Sequence, residues 1–139
     1  ARPQDPAFLD ALSVEFTAIA NIPPLADAMV ALEHTHDHLR QIAEFQWTAP
    51  PGHPELDPAH EALLLKEHFK ELLRMQDVAT KPDPFRESLR ASETAAQELQ
   101  DALRVQPANR AAAKTAFEAV TANCKSCHRA FRDNPGGKL

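Results

Sequence analysis

Five consecutive residues near the end of the chain, Cys124-Lys-Ser-Cys-His128, carry the most specific chemistry in the sequence. The two thiols have the C-x-x-C-H spacing at which both can add to the vinyl groups of one porphyrin and form thioether bonds. On a helix, Cys124 and His128 lie one turn apart, so the imidazole reaches the iron of the same ring. The motif therefore predicts one covalently attached haem c, bound through Cys124 and Cys127 with His128 as an axial ligand to iron.

Other chemistry fits these residues less well. A redox C-x-x-C site needs a strand before it in a βαβ setting, and no strand pattern is present. A zinc site needs a second ligand pair of equal strength, which the sequence lacks. The run 33–38, Glu-His-Thr-His-Asp-His, could bind a divalent ion through His34 and His38, but a di-iron bundle needs two Glu-x-x-His motifs and two more glutamates. We interpret this run as a solvated helix face, with a non-haem metal site as a minor alternative.

Length and charge limit the class of protein. The 139 residues suit one domain spanning 1–139, and their net charge of −5 opposes binding to nucleic-acid phosphates or to anionic membranes. The longest apolar runs are only a few residues, so no segment is expected to span a bilayer. The chain begins with Ala1 instead of methionine, which we expect of a processed chain.

The prolines separate four long proline-free stretches, and this predicts four helices. Asp57 and Asp83 are the predicted N-caps of the second and third helices. Short connections make consecutive helices antiparallel, so the fold class is all-α, an up-down-up-down four-helix bundle. The predicted helices extend over about 24–46, 58–79, 84–105 and 107–131.

The first predicted helix carries an apolar stripe at spacings of three and four residues. Before it, residues 1–22 predict a short amphipathic helix as an N-terminal extension, with the bundle occupying 24–132. The stripe of the first bundle helix consists of Leu25, Met29, Leu32, His36, Leu39 and Ala43.

The stretch 117–132, Phe-Glu-Ala-Val-Thr-Ala-Asn-Cys-Lys-Ser-Cys-His-Arg-Ala-Phe-Arg, resembles the end of a class II c-type cytochrome, the cytochrome c prime family. The resemblance is close over about the last 25 residues and loose over the first half. It implies a periplasmic bacterial haem protein, often a homodimer, with Cys124 and Cys127 as thioether sites and His128 as proximal ligand. Arg132 matches a basic residue that the family places near that imidazole, although a solvated charge at a helix C-terminus is an equal alternative.

The residue opposite His128 decides the function that the resemblance implies. Family members with an apolar residue there leave iron five-coordinate and bind NO or CO, whereas members with methionine are six-coordinate electron carriers. Because the first and last helices run antiparallel, the facing position lies within about 25–36. Candidates on the stripe are Met29 as ligand, Leu32 as apolar residue and His36 as ligand. If residues 1–22 hold the first helix instead, Phe16 or Ile19 faces the haem.

One-electron transfer between proteins is the predicted function, with NO or CO binding as the alternative. A weak peroxidase is less favoured, because that chemistry needs a distal base in a polar cavity and only His36 could supply the base. The chain is thus expected to be an electron carrier or ligand-binding protein, not an enzyme. Its negative charge favours a basic redox partner. Thioether attachment in such bacteria occurs outside the cytoplasm, which predicts export to the periplasm.

Overall fold

A computed structural model describes residues 24–132, and within that range the chain is helical and contains no strand. The predicted N-terminal extension at 1–22 lies outside the described residues. Each helix is named here by its order in the described range. The helices are α1 (Pro24–Glu44), α2 (Pro58–Arg74), the single-turn α3 (Gln76–Ala79), α4 (Asp83–Arg104) and α5 (Arg110–Cys127), followed by a π-helical turn, His128–Arg132.

The start of α2 follows the sequence prediction and its end does not. The Asp57 carboxylate accepts a hydrogen bond from the backbone N–H of His60 at 2.9 Å, and Pro58 occupies the first turn, where its missing N–H costs nothing. The predicted helix to residue 79 is interrupted at Met75, whose backbone is extended with ψ of 140°. The short α3 after this break carries Val78, which is fully buried.

Three further boundaries differ from the prediction. Pro82 is the N-cap of α4, and Asp83 is instead its first residue, with a carboxylate that pairs with Arg86. The last helix begins at Arg110 and not near 107, because the Asn109 side chain accepts from the backbone N–H of Ala112 at 3.1 Å. Its α-helical hydrogen bonding ends at Cys127, and the π-helical turn replaces the predicted α-helix to 131.

The four long helices form an all-α antiparallel four-helix bundle, as predicted. Helix α4 packs closely on both α2 and α5, while α1 packs mainly on α2. No described helix is both long and apolar enough to cross a membrane. The predicted stripe of α4 is confirmed throughout, since every member is buried: Phe85, Leu89, Ser92, Ala96, Leu99 and Leu103.

The buried face of α1 is rotated from the predicted one. Its buried residues are Leu32, Thr35, Leu39 and Ile42, at spacings of three and four. Leu32 and Leu39 of the predicted stripe belong to this face, whereas its other members are only half-buried and lie at the edge: Leu25, Met29, His36 and Ala43. The buried face differs from the predicted one because α1 packs mainly on α2 and turns its interior face toward that helix.

Candidate haem site

A small cavity at one end of the bundle brings together residues from all four long helices. Its volume is about 20 Å³. The end of α5 supplies both cysteines and His128, and the start of α1 supplies Met29 and Leu32 opposite them. The cavity is completed by Asn123 from α5, Phe69 from α2, and Ser88, Leu89 and Ser92 from α4.

The three motif residues lie on one wall of this cavity. Cys127 is buried, Cys124 and His128 are half-buried, and both thiols are free. The backbone N–H of His128 donates to the carbonyl oxygens of Cys124 and Lys125, which keeps the helical turn between thiol and imidazole. The arrangement therefore directs two thiols and one ring nitrogen toward a single small region.

The distal candidates separate into two groups. Met29, half-buried, and Leu32, only 5% exposed, both line the cavity with the motif. His36 does not line it: its Nε2 atom lies 2.9 Å from Thr121 Oγ1, and its ring stacks on Phe117 with centroids 4.7 Å apart. Phe16 and the side chain of Arg132 lie outside the described part of the chain, so their predicted positions near the haem stay predictions.

Residues 67–132 match a protein-family model described as Cytochrome C'. Over these residues the chain is similar to the cytochrome c prime family. The match covers just under half of the chain, from within α2 to the end of the π-helical turn, and includes the C-x-x-C-H motif. A search of curated proteins and a search of solved structures each gave no match.

Cytochrome c prime proteins are four-helix-bundle haem carriers or ligand-binding proteins, and the donor set present here fits a haem. Two thiols and an imidazole on one wall face apolar side chains on the other, which is the chemistry that c-type attachment and axial ligation require. The cavity is much smaller than the roughly 300–1,000 Å³ of ordinary ligand pockets.

The electrostatic environment of the cysteines bears on when the haem is attached. Burial raises the pKa of the Cys124 thiol to about 11, and the nearby Cys127 and Glu33 add to the rise. Burial also raises the pKa of Cys127. Because the thiolate is the reactive form, burial in this arrangement makes both sulfur atoms less reactive than an exposed cysteine.

The interpretation of 33–38 as a solvated face is wrong at Thr35 and holds fully only at Glu33 and His34, since the other three residues are half-buried. Thr35 is buried, and its Oγ1 lies 3.0 Å from Nε2 of His68 on α2. His38 donates from Nδ1 to the carboxylate of Glu61 at 2.8 Å, and Glu61 is only 5% exposed. We refer to Thr35, His38, Glu61 and His68 as the polar seam between α1 and α2.

The sequence carried a signal for the polar seam, although the prediction missed it. Thr35 lies four residues before the buried Leu39, and Glu61 lies four before the buried Leu65, so both belong to apolar stripes.

Within 24–132, no three histidine, cysteine or acidic side chains converge so that they could hold a metal ion. Burial lowers the pKa of His68, and that of His36, where Arg40 contributes further to the lowering.

Proposed function

We propose that this protein is a periplasmic one-electron carrier in which Met29 is the sixth ligand of a single covalently attached haem c. Cys124 and Cys127 form the thioether bonds, and His128 is the proximal ligand. The observation that carries the proposal is the position of Met29, which lines the same cavity as the three motif residues but lies on the opposite helix. A thioether sulfur is the axial donor that suits an electron-transfer haem.

Each residue has a defined task in this proposal. The bound haem supplies the iron that is reversibly oxidised and reduced by one electron. Cys124 and Cys127 would hold the haem covalently, and the helical turn from Cys124 to His128 would orient the imidazole toward it. Phe69 and Leu89 exclude water from the cavity walls, and a dry environment together with an axial methionine raises the reduction potential.

The partner is inferred from charge. The chain carries 20 acidic and 15 basic side chains, and the haem propionates would add negative charge. A basic redox protein would therefore be attracted over long distance and oriented before contact.

We also propose a homodimer, on the basis of the family resemblance. Sedimentation of the purified protein measures that directly.

Binding of NO or CO is the second candidate, and one observation favours it. Leu32 lines the same cavity as Met29 and is more deeply buried, with 5% exposure. If Leu32 stands over the iron, no side chain of α1 fills the sixth position. A small diatomic ligand would then occupy the space between Leu32 and the iron.

Covalent attachment is tested by expression in a bacterial host that attaches c-type haem in its periplasm. We expect the denatured wild-type protein to keep the mass of one haem. The single variants Cys124→Ser and Cys127→Ser would each retain one thioether bond, and the double variant would lose its haem on denaturation. Wild-type protein that releases all of its haem on denaturation would contradict the attachment.

The sixth ligand is tested by comparing Met29→Leu with Leu32→Val. The first variant keeps the volume of the side chain and removes the sulfur atom, so we expect it to convert a low-spin spectrum into a high-spin one. Leu32→Val trims the neighbouring wall and should leave the spin state unchanged. His36→Gln is the second control, because His36 contacts Thr121 and Phe117 outside the cavity. An unchanged spectrum for Met29→Leu would assign the ligand elsewhere.

A further inference from the structure

An open cleft lies at the end of the bundle opposite the cysteines. Its volume is about 730 Å³, and its walls are the turn at Trp47, the start of α2 and the connection from α4 to α5. A second groove of about 530 Å³ lies on the other side of Trp47. Trp47 and Arg110 line both spaces. Volumes of roughly 300–1,000 Å³ are typical of sites for small molecules.

The cleft concentrates positive charge on an acidic protein. Arg104 and Arg110 line the larger space, and Arg110 and Lys114 line the second groove. Within 24–132, none of the three cations has a carboxylate within 4.0 Å, whereas five other lysines and arginines of the described helices do. Of the two acids at the cleft, Asp57 accepts from the backbone N–H of His60, and Glu118 lines only the second groove.

Trp47 is held rigidly between the two spaces. Its φ angle is 64° and that of Gln46 is 61°, a left-handed conformation that residues other than glycine rarely adopt. The backbone N–H of Trp47 donates to the carbonyl of Ile42 at 2.9 Å, and its ring packs edge-on against Phe117 at 5.6 Å. Such unfavourable backbone conformations concentrate at functional sites, where they fix a side chain in place.

We propose that this cleft binds a small aromatic carboxylate. The carboxylate would pair with Arg110 and Arg104, because a guanidinium group matches its two oxygen atoms with two parallel hydrogen bonds. The aromatic ring would lie against Trp47 and the ring of Pro107, which supply the apolar wall. The site is separate from the cavity at the cysteines and does not depend on the proposed electron transfer.

Benzoate is the probe, and benzamide is its neutral counterpart of nearly equal shape. The chain contains one tryptophan, so its indole N–H gives one nuclear magnetic resonance signal that reports on this cleft. We expect benzoate to shift the signal with saturation, and benzamide to bind about tenfold more weakly or not at all, since it lacks the charge that the guanidinium groups recognise. Linear shifts of equal size for both compounds would overturn the proposal.

Variants of the arginines make the test specific. Arg110→Gln should weaken benzoate binding about tenfold or more and Arg104→Gln should also weaken it, because each loses a charge-assisted hydrogen bond. Arg90→Gln is the matched control, an exposed arginine on α4 that lies roughly 20 Å along the helix from Arg104. Removing Arg110 should not unfold the protein, because a cation in the first turn of a helix opposes its dipole. Equal binding by Arg110→Gln and wild type would overturn the proposal.

Discussion

The interfaces of α4 with α2 and α5 differ in composition from the interface between α1 and α2. In the first two, the fully buried side chains include Leu65, Leu99 and Val120, and Lys66 Nζ donates to Gln97 Oε1 at 3.0 Å at their partly exposed margin. In the interface between α1 and α2, the buried Leu39 and Ile42 are accompanied by the polar seam, with its two hydrogen bonds between side chains of different helices. Apolar packing has no preferred direction, whereas each hydrogen bond requires a particular distance and angle between its donor and acceptor.

This difference indicates how a haem could enter the bundle. Helix α4 packs closely on both α2 and α5, whereas α1 adds Leu32, Leu39 and Ile42 to the same core from one side. The first helix carries Met29 and Leu32 on one side of the haem site and is attached mainly to α2. It can therefore move away from α4 and α5 with less disturbance than any other long helix, and it can return with the hydrogen bonds of the seam to define its position.

The largest effect is expected in the apolar core. Leu99→Ala removes a side chain that is fully buried on α4, and we expect the free energy of unfolding to fall by about 2–5 kcal/mol. Val105→Ala, at the end of the same helix, removes a side chain that is 51% exposed and should change it by less than about 0.5 kcal/mol. Guanidinium chloride unfolding measures both. Equal losses would contradict the assignment of the core.

A smaller loss is expected from the polar seam. His38→Ala leaves the buried carboxylate of Glu61 without its donor, and we expect a cost of about 1–3 kcal/mol in the free energy of unfolding. His34→Ala, one turn earlier on α1 and exposed to solvent, is the matched control and should cost less than about 0.5 kcal/mol. If the two variants are equally stable, the seam does not contribute to holding α1.

The smallest effect is a dependence of stability on pH. Burial lowers the pKa of His36 and of His68 below the ordinary value of 6.5, so the unfolded chain binds protons more readily than the fold. The two histidines therefore contribute fully to the free energy of unfolding above pH 6.5. This contribution is lost as the pH falls below 6.5, by at most about 1.4 kcal/mol per pH unit for each group.

Unfolding curves between pH 8 and pH 5 measure this dependence. The slope of the unfolding free energy below pH 6.5 should decrease in His68→Gln, which cannot gain the proton. The exposed His34→Gln is the control and should keep the slope of the wild type. A wild-type stability that rises on acidification through this range would contradict the origin assigned to both pKa shifts.

The sequence predicted what depends on local spacing. Every residue that regular spacing predicted for the buried face of α4 is buried, although that face also includes Ala95, Gln100 and Ala102. Asp57 followed by Pro58 identified the start of α2. The position of the motif near the end of the last helix, with the antiparallel order, predicted that Met29 and Leu32 lie level with His128, and all three residues line one cavity.

What the sequence did not predict depends on partners from other helices. The rotation of α1 and the burial of Thr35 arise because side chains of α2 satisfy polar groups that periodicity treats as solvated. The cap at Asn109 was missed because Pro107 is an equally suitable helix start in the sequence alone. The cleft beside Trp47 is formed by three chain segments that no local pattern relates.

The visible spectrum of the dithionite-reduced protein, recorded before and after addition of CO, tests the central claim most directly. If Met29 from α1 binds the iron opposite His128, the reduced protein will show sharp, split low-spin bands that CO does not move. A broad high-spin spectrum that shifts on addition of CO would contradict the claim, and would show a sixth position that α1 leaves open to small gases.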